Sequence, residues 1–336
     1  VVLEGGKLDG QLAGRIADIA KLRKDAKGPV GYDLRLAGPL DAITLKGVVN
    51  AADLRLSGHT LQALSTQVQA TNAPDGLKGT VVATATLDTK PIRLEAAINR
   101  VNGLLSIPQL GLEAGPNRLT GALDLSQDFL PAGQLAFDFP DLGLLAALAG
   151  QKAEGNLKGN VTLTNAGGVP AATIRASGQA LTAQGATLTN PEIDLASTDL
   201  AALKLQGTLR ADQLSVGGQT LSGLALSLAQ EGNRTAFDLG ATYSNAPLAL
   251  SGALNRTPES GDLTLRLDRF SASPGGVAVQ LSEPADIRLR SGNVVLETIR
   301  LAAGGGQVLV EGSASDQLNL AMRINRLPAA LANGLV

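Results

Sequence analysis

The sequence predicts an all-β protein: a long, mainly antiparallel, curved sheet forming an open groove with an aliphatic interior, interrupted by a few short helices. Three observations predict it. Apolar and polar residues alternate with period two almost from end to end. The alternating runs, about twenty of them, are separated by Gly, Pro, Asn or Ser at strand-like spacing. A hairpin-like pattern, L-x-x-x-G-x-T-L, recurs at 54–61, 181–188 and 214–221.

The alternation is clearest in Asp33-Leu34-Arg35-Leu36, Glu192-Ile193-Asp194-Leu195 and Asp262-Leu263-Thr264-Leu265-Arg266-Leu267-Asp268. It continues through Asp286-Ile287-Arg288-Leu289-Arg290 and Leu318-Asn319-Leu320-Ala321-Met322-Arg323-Ile324. Successive side chains of a strand point to opposite faces. Leu34, Leu36, Ile193, Leu195, Leu263, Leu265, Leu267, Ile287, Leu289, Leu318, Leu320, Met322 and Ile324 therefore share the groove face. Their neighbours Arg35, Arg55, Asp194, Arg266, Arg288 and Asn319 face solvent. Strands buried on both faces would read as continuous apolar runs instead.

In the hairpin motif, Gly followed by one residue suggests a two-residue type II′ turn, whose first central position needs positive φ. That register pairs Leu56 with Leu61, Val216 with Leu221 and Ala183 with Leu188. It turns Leu54, Leu214 and Leu181 inward with them. The apolar spacing then slips: Leu61 and Leu64 are three apart, as are Leu221 and Leu224. A plain strand would place each pair on opposite faces. One extra residue near Ala63 and Gly223 restores the face, so β-bulges are expected there, and Pro191 at the matching place of the third copy suits a bulge or sheet edge. The bulges return Leu64, Val68, Leu224, Leu226 and Leu228 to the inner face.

Helices are expected at 15–27, with Ile16, Ile19, Ala20 and Arg23 at helical spacing, and at 141–150, with Asp141 as N-cap and Gly150 as stop. A third is expected at 327–333, whose Leu327-Pro328-Ala329-Ala330-Leu331-Ala332 resembles Leu144-Leu145-Ala146-Ala147-Leu148-Ala149. Residues 1–336 read as one continuous repeat-built groove, with module breaks near these helices. The first residues, Val1-Val2, and the absence of a signal peptide read as a segment of something longer.

Composition removes several function classes. The absence of Cys excludes disulfides, thiolate metal sites and thiol catalysis. A net charge of −2 gives no basic field for nucleic acid or an anionic membrane. The lone His59 falls in a predicted turn where the other copies carry Gln219 and Ala186, which argues for a solvated turn residue rather than a catalyst. Gly304-Gly305-Gly306-Gln307 lacks the Lys-Ser/Thr ending of a phosphate loop and reads as a tight turn, and Gly6-Lys7 lacks the loop's spacing. Asp262, Asp268 and Asp286 alternate with apolar or basic residues on strands, as a solvated face does, rather than forming an acid–base pair. No catalytic residue, metal site or cofactor is expected.

The Leu-rich alternating strands, the three hairpin copies, the Leu-Ala helix near 144–149 and the closing runs 294–301, 308–312 and 318–327 together resemble the TamB (DUF490) proteins and the wider AsmA-like group of bacterial envelope proteins. The resemblance implies a periplasmic β-taco with a greasy interior, part of a longer protein anchored in the inner membrane of a Gram-negative bacterium. It implies phospholipid acyl chains as cargo, a TamA-like outer-membrane barrel as partner of the full-length protein, and a linked role in outer-membrane protein assembly. It transfers no individual functional residue, only the face. The residues by themselves agree: an aliphatic groove nearly free of aromatics suits acyl chains, which need only apolar contact. Lipid, a nascent barrel strand, or the sheet's own side chains in a closed sandwich would each fill such a groove. A parallel β-helix would need a regular short period with stacked Asn or Thr, which is absent.

Overall fold

The alternating runs become strands nearly throughout. The computed structural model describes residues 2–21, 26–56, 59–74, 76–101, 103–148, 151–257, 260–290, 293–315 and 317–326. In chain order the strands are β1 (Val2–Glu4), β2 (Lys7–Ile16), β3 (Ala26–Lys27), β4 (Val30–Pro39), β5 (Ile43–Leu56), β6 (His59–Ala73) and β7 (Lys78–Leu87). There follow β8 (Lys90–Val101), β9 (Leu104–Ala114), β10 (Asn117–Leu125), β11 (Pro131–Phe139), helix α1 (Leu142–Leu148), β12 (Ala153–Gly155), β13 (Leu157–Ala166), β14 (Val169–Ser177) and β15 (Ala180–Ala183). Next are β16 (Ala186–Thr189), β17 (Glu192–Asp199), β18 (Lys204–Val216), β19 (Gln219–Glu231), β20 (Arg234–Tyr243) and β21 (Ala246–Arg256). The last are β22 (Leu263–Ala272), β23 (Val279–Leu281), β24 (Ala285–Arg290), β25 (Asn293–Ala303), β26 (Gly306–Ala314) and β27 (Leu318–Asn325).

The chain divides into two compact units: Val1–Gly168 with Gly178–Gln184, and Val169–Ser177 with Gly185–Val336. In the first, β2 pairs with β1 and β4, and β4 to β11 follow one another in hairpin order, with β13 beyond β11. In the second, β17 to β22 run in the same way, and β24 to β27 continue from β22. These pairings are all antiparallel, which excludes a parallel β-helix and establishes the all-β class.

The turns differ in position and type from the type II′ reading. Leu56 pairs with His59 and Val216 with Gln219, so the turns begin one residue earlier than expected. Gly217 and Gly218 both take positive φ, 57° and 78°, and Gln184 and Gly185 take 50° and 80°. Two positive φ values define type I′, whose twist matches that of the flanking strands. Leu61 therefore faces Leu54, and Leu221 faces Leu214. The slip moves each partner by two residues, so no side chain changes face. Gly304–Gly305 is a type I′ turn joining β25 to β26.

The bulges are present. The β6–β7 register shifts between Gln62 and Ser65, and the β19–β20 register between Ser222 and Ala225. Ala63 (φ 50°) and Gly223 (φ 61°) occupy the left-handed region, as does Asn190 (φ 48°) just before the buried Pro191 in the third copy. Around the first bulge Ala51 and Leu54 are buried while residues 52 and 53 are exposed, so the paired strand changes phase as well.

The helix expected over 15–27 does not form. β2 keeps pairing with β4 as far as Ile16, opposite Val30. Only a 3-10 turn follows, at Ile19–Lys21, and Ala26–Lys27 joins β5 as a short strand. The Asp18 carboxylate holds this turn, accepting from the backbone N–H of Ala20 and of Gly28, each at 3.0 Å. Helix α1 matches the second expectation, but its entry is fixed by Asn117 rather than by an Asp141 side-chain cap. The third expected helix, 327–333, lies outside the described residues, as does Gly150.

Two measurements check these local devices. A left-handed backbone disfavours any Cβ, so Ala63→Gly raises urea stability by about 1 kcal/mol and Gly223→Ala lowers it by about as much. The Gly28 and then the Ala20 backbone N–H hold the Asp18 carboxyl below the ordinary carboxylate range. Its contribution is present above the unfolded pKa of about 3.9 and is lost as pH falls through the depressed folded value. Asp18→Asn therefore flattens the acid limb of a melting-temperature profile and leaves its neutral-to-basic limb unchanged in shape.

Candidate functional site

Strand register decides which side chains share a face, because residues directly opposite each other point the same way. In the first unit Leu34 pairs with Gly47 and Gly47 with Val68, while Leu36 pairs with Leu45. Ala51 pairs with Leu64 and Leu54 with Leu61, with Leu56 two residues on. Val30, Ala51 and Leu54 form a buried cluster against which Ile19, Val49, Leu61 and Leu64 pack. Leu61 and Leu64 thus meet on one side, which the bulge at Ala63 makes sterically possible. Leu181 sits on β15 opposite Gly155, half-buried.

The second unit extends this into long cross-strand rows. Ile193, Leu209, Leu226, Leu239, Leu250 and Phe270 stand side by side across six strands. A parallel row holds Leu195, Gly207, Leu228, Phe237, Gly252 and Leu267. Leu188, Leu214 and Leu221 form a third, ending at Tyr243, with Val216 two residues beyond Leu214. Leu265, Ile287, Leu296, Gly312 and Leu320 form a fourth, and Leu289, Val294, Ala314 and Leu318 a fifth. Leu263 pairs with Leu289, Met322 with Val310, and Ile324 with Val308, on the same face. Leu224 pairs with Ala211 beside the second bulge and is buried.

Several members of these rows escape a reading of single strands. Leu209, Leu239, Leu250 and Phe270 belong as fully as their partners, and their own alternation carried the signal. The glycines did not. Gly207 (φ 126°) lies between Leu195 and Leu228, and a Cβ there would collide with the Asp194 carbonyl oxygen. Such glycines are the low points between large side chains.

The apolar face is not covered as a core would be. Of the groove-face residues expected from sequence, only Leu54 and Leu224 are buried; most are half-buried, and Val216, Leu289, Leu318, Leu320, Met322 and Ile324 are exposed. Buried apolar positions are few and mostly alanine. The chain exposes 19388 Å², whereas two compact proteins of half its mass would expose about 15,500 Å² together. The excess is total surface, polar and apolar together, and the exposed large hydrophobics on this face belong to it.

Part of the face supplies its own cover. Leu144 of α1 packs with the fully buried Leu87 and Ala114, against Leu61, Ile92 and Leu145. Asn117, 2% exposed, pins the helix entry: its Nδ2 donates to the Ala114 and Asp141 carbonyls at 3.1 and 2.8 Å. Its Oδ1 accepts from the Asp141 N–H at 2.9 Å.

Polar chemistry lies elsewhere. His59 is the first residue of β6, not a solvated turn residue, and its Nδ1 lies 2.6 Å from Asp88 Oδ2. Among the described residues no group of three or more His, Cys, Asp or Glu side chains is placed to hold a metal ion. Arg266 and Arg288 pair with Asp268, Asp286 and Glu297 on the polar face of the second unit. No helix among the described residues is long and apolar enough to cross a membrane.

Replacing Asn117 by Ala leaves a buried backbone N–H and two carbonyls without their partner. We expect a loss of about 2–4 kcal/mol in unfolding free energy and faster hydrogen exchange confined to α1 and its flanks. Unchanged exchange in α1 would show that the helix is held by its leucines alone. Comparison with protein-family models, with curated proteins and with solved structures returns no match to this chain.

Proposed function

We propose that the apolar sheet face binds phospholipid acyl chains, and that the chain is a non-enzymatic segment of a periplasmic bridge carrying lipid between the inner and outer membranes. The observation that carries this reading is the set of apolar rows, half-exposed across many strands, with one ring-bearing member, Phe270 or Phe237, in each of the two longest. Acyl chains need apolar contact and no directional partner. A face of Leu, Ile and Val with glycine low points offers that contact at any register along the row. The periplasmic setting, a TamA-like partner and a linked role in outer-membrane protein assembly rest on the resemblance to TamB and AsmA-like proteins.

A second reading has its own observation. Among the described residues β27 pairs with β26 alone, and all eight of its residues are exposed. An uncovered edge is a template for strand addition, so a chaperone or scaffold that captures nascent outer-membrane strands would use it.

The two readings separate by experiment. Protein purified from membranes under mild conditions is expected to carry phospholipid, and photocrosslinkers at Leu265 or Leu226 to label lipid. Leu265→Arg should remove most of the bound lipid with the strand content retained, because burying a charge among acyl chains costs several kcal/mol. Absence of phospholipid together with crosslinks to protein would overturn the lipid reading in favour of the scaffold. Proline at Leu320 or Ala321, adjacent residues of which one turns its N–H away from β26, should abolish partner binding in the scaffold reading while lipid labelling from Leu226, on the separate strand β19, persists.

A further inference from the structure

The polar face of the first unit holds a cavity of about 1220 Å³ over β1, β2 and β4 to β6. Strand register aligns Gln11, Arg35, Lys46 and Gln69 across it, one from each of four neighbouring strands. Arg35 and Lys46 are directly opposite each other. In that arrangement the Cβ atoms lie about 4.5–5.5 Å apart and like charges destabilise the pairing.

Nothing among the described residues relieves the repulsion. Neither Arg35 nor Lys46 makes an ion pair or a side-chain hydrogen bond there. Asp33, two residues from Arg35 on the same face, instead accepts from Gln11 Nε2 at 2.7 Å. Some cations of the sheet are neutralised, as Arg118 is by Glu113, Arg175 by Asp194 and Arg288 by Glu297, and others are not, Lys27 opposite Arg55 among them; Arg35 and Lys46 are set apart by the cavity that they line. An acid at either position 35 or 46 would serve the strands better than two cations do.

We propose that Arg35 and Lys46 form a binding site for a phosphate group. The planar guanidinium presents parallel N–H donors to an oxyanion, the ammonium adds a compact charge beside it, and the Gln69 amide extends the donor row. Glu4, Lys7, Asp9 and Asp33 also line the cavity, and its carboxylates repel an anion from the β1 and β2 side and restrict it to the cation pair. The site lies on the face opposite the aliphatic rows and stands independently of acyl-chain binding. Phosphate of a lipid headgroup at a membrane surface and free phosphate share this chemistry.

The full chain is titrated with inorganic phosphate, following melting temperature and 31P linewidth. It is also sedimented with phosphatidylcholine vesicles with and without phosphatidylglycerol. We expect a saturable phosphate-dependent rise in melting temperature, or sedimentation that requires phosphatidylglycerol. The first outcome identifies free phosphate and the second a lipid headgroup. Lys46→Gln and Arg35→Gln should each weaken the response at least tenfold, while melting, without ligand, at or above the wild-type temperature because the repulsion is gone. A response equal in wild type and both variants overturns the proposal. So does no response in either assay, or ligand-free melting of both variants well below wild type, which would mean that the cations serve the fold rather than a ligand.

Discussion

The left-handed residues Ala63 and Gly223 are the constraint that keeps the apolar rows of β6 and β19 on one face. A strand that alternates strictly keeps its apolar row on one side only while no residue is added or lost. Where Leu61 is followed by Leu64, or Leu221 by Leu224, the row would cross to the solvent face. Ala63 and Gly223, in the left-handed region, absorb the extra residue and return the row to its side. Asn190 does the same work before Pro191, at the cost of dividing one strand into β16 and β17. Aliphatic rows that cross six strands depend on those few backbone angles being kept.

The two faces of the sheet then obey different physics. The aliphatic face gains by burial, yet most of its residues stay half-buried, and among the described residues α1 packs on the patch around Leu87 and Ala114. The polar face gains little from any single exposed ion pair, so its charge pattern is weakly constrained by stability. A pair of unneutralised cations such as Arg35 and Lys46 is informative for that reason: stability alone would have tolerated, and slightly favoured, an acid there.

The lone histidine is tied to Asp88, and the carboxylates are spread along the sheet beside arginines. The uncovered apolar rows and the free edge of β27 are both surfaces for association.

Local chemistry in the sequence was enough to define the all-β class, the solvent and groove faces, and the bulges, because each depends on period-two patterning within a few residues. The faces even survived an error of turn type, since a two-residue slip preserves parity. Contacts between distant segments were not legible. The helical spacing at 15–27 gave way to pairing of Ile16 with Val30 and to the Asp18 turn, a tertiary outcome that local propensity does not encode. Asn117 as the anchor of α1, His59 beside Asp88, and the alignment of Arg35 with Lys46 likewise required register across strands. Register is set by the whole ladder of pairings, so only the folded sheet decided which polar side chains would meet.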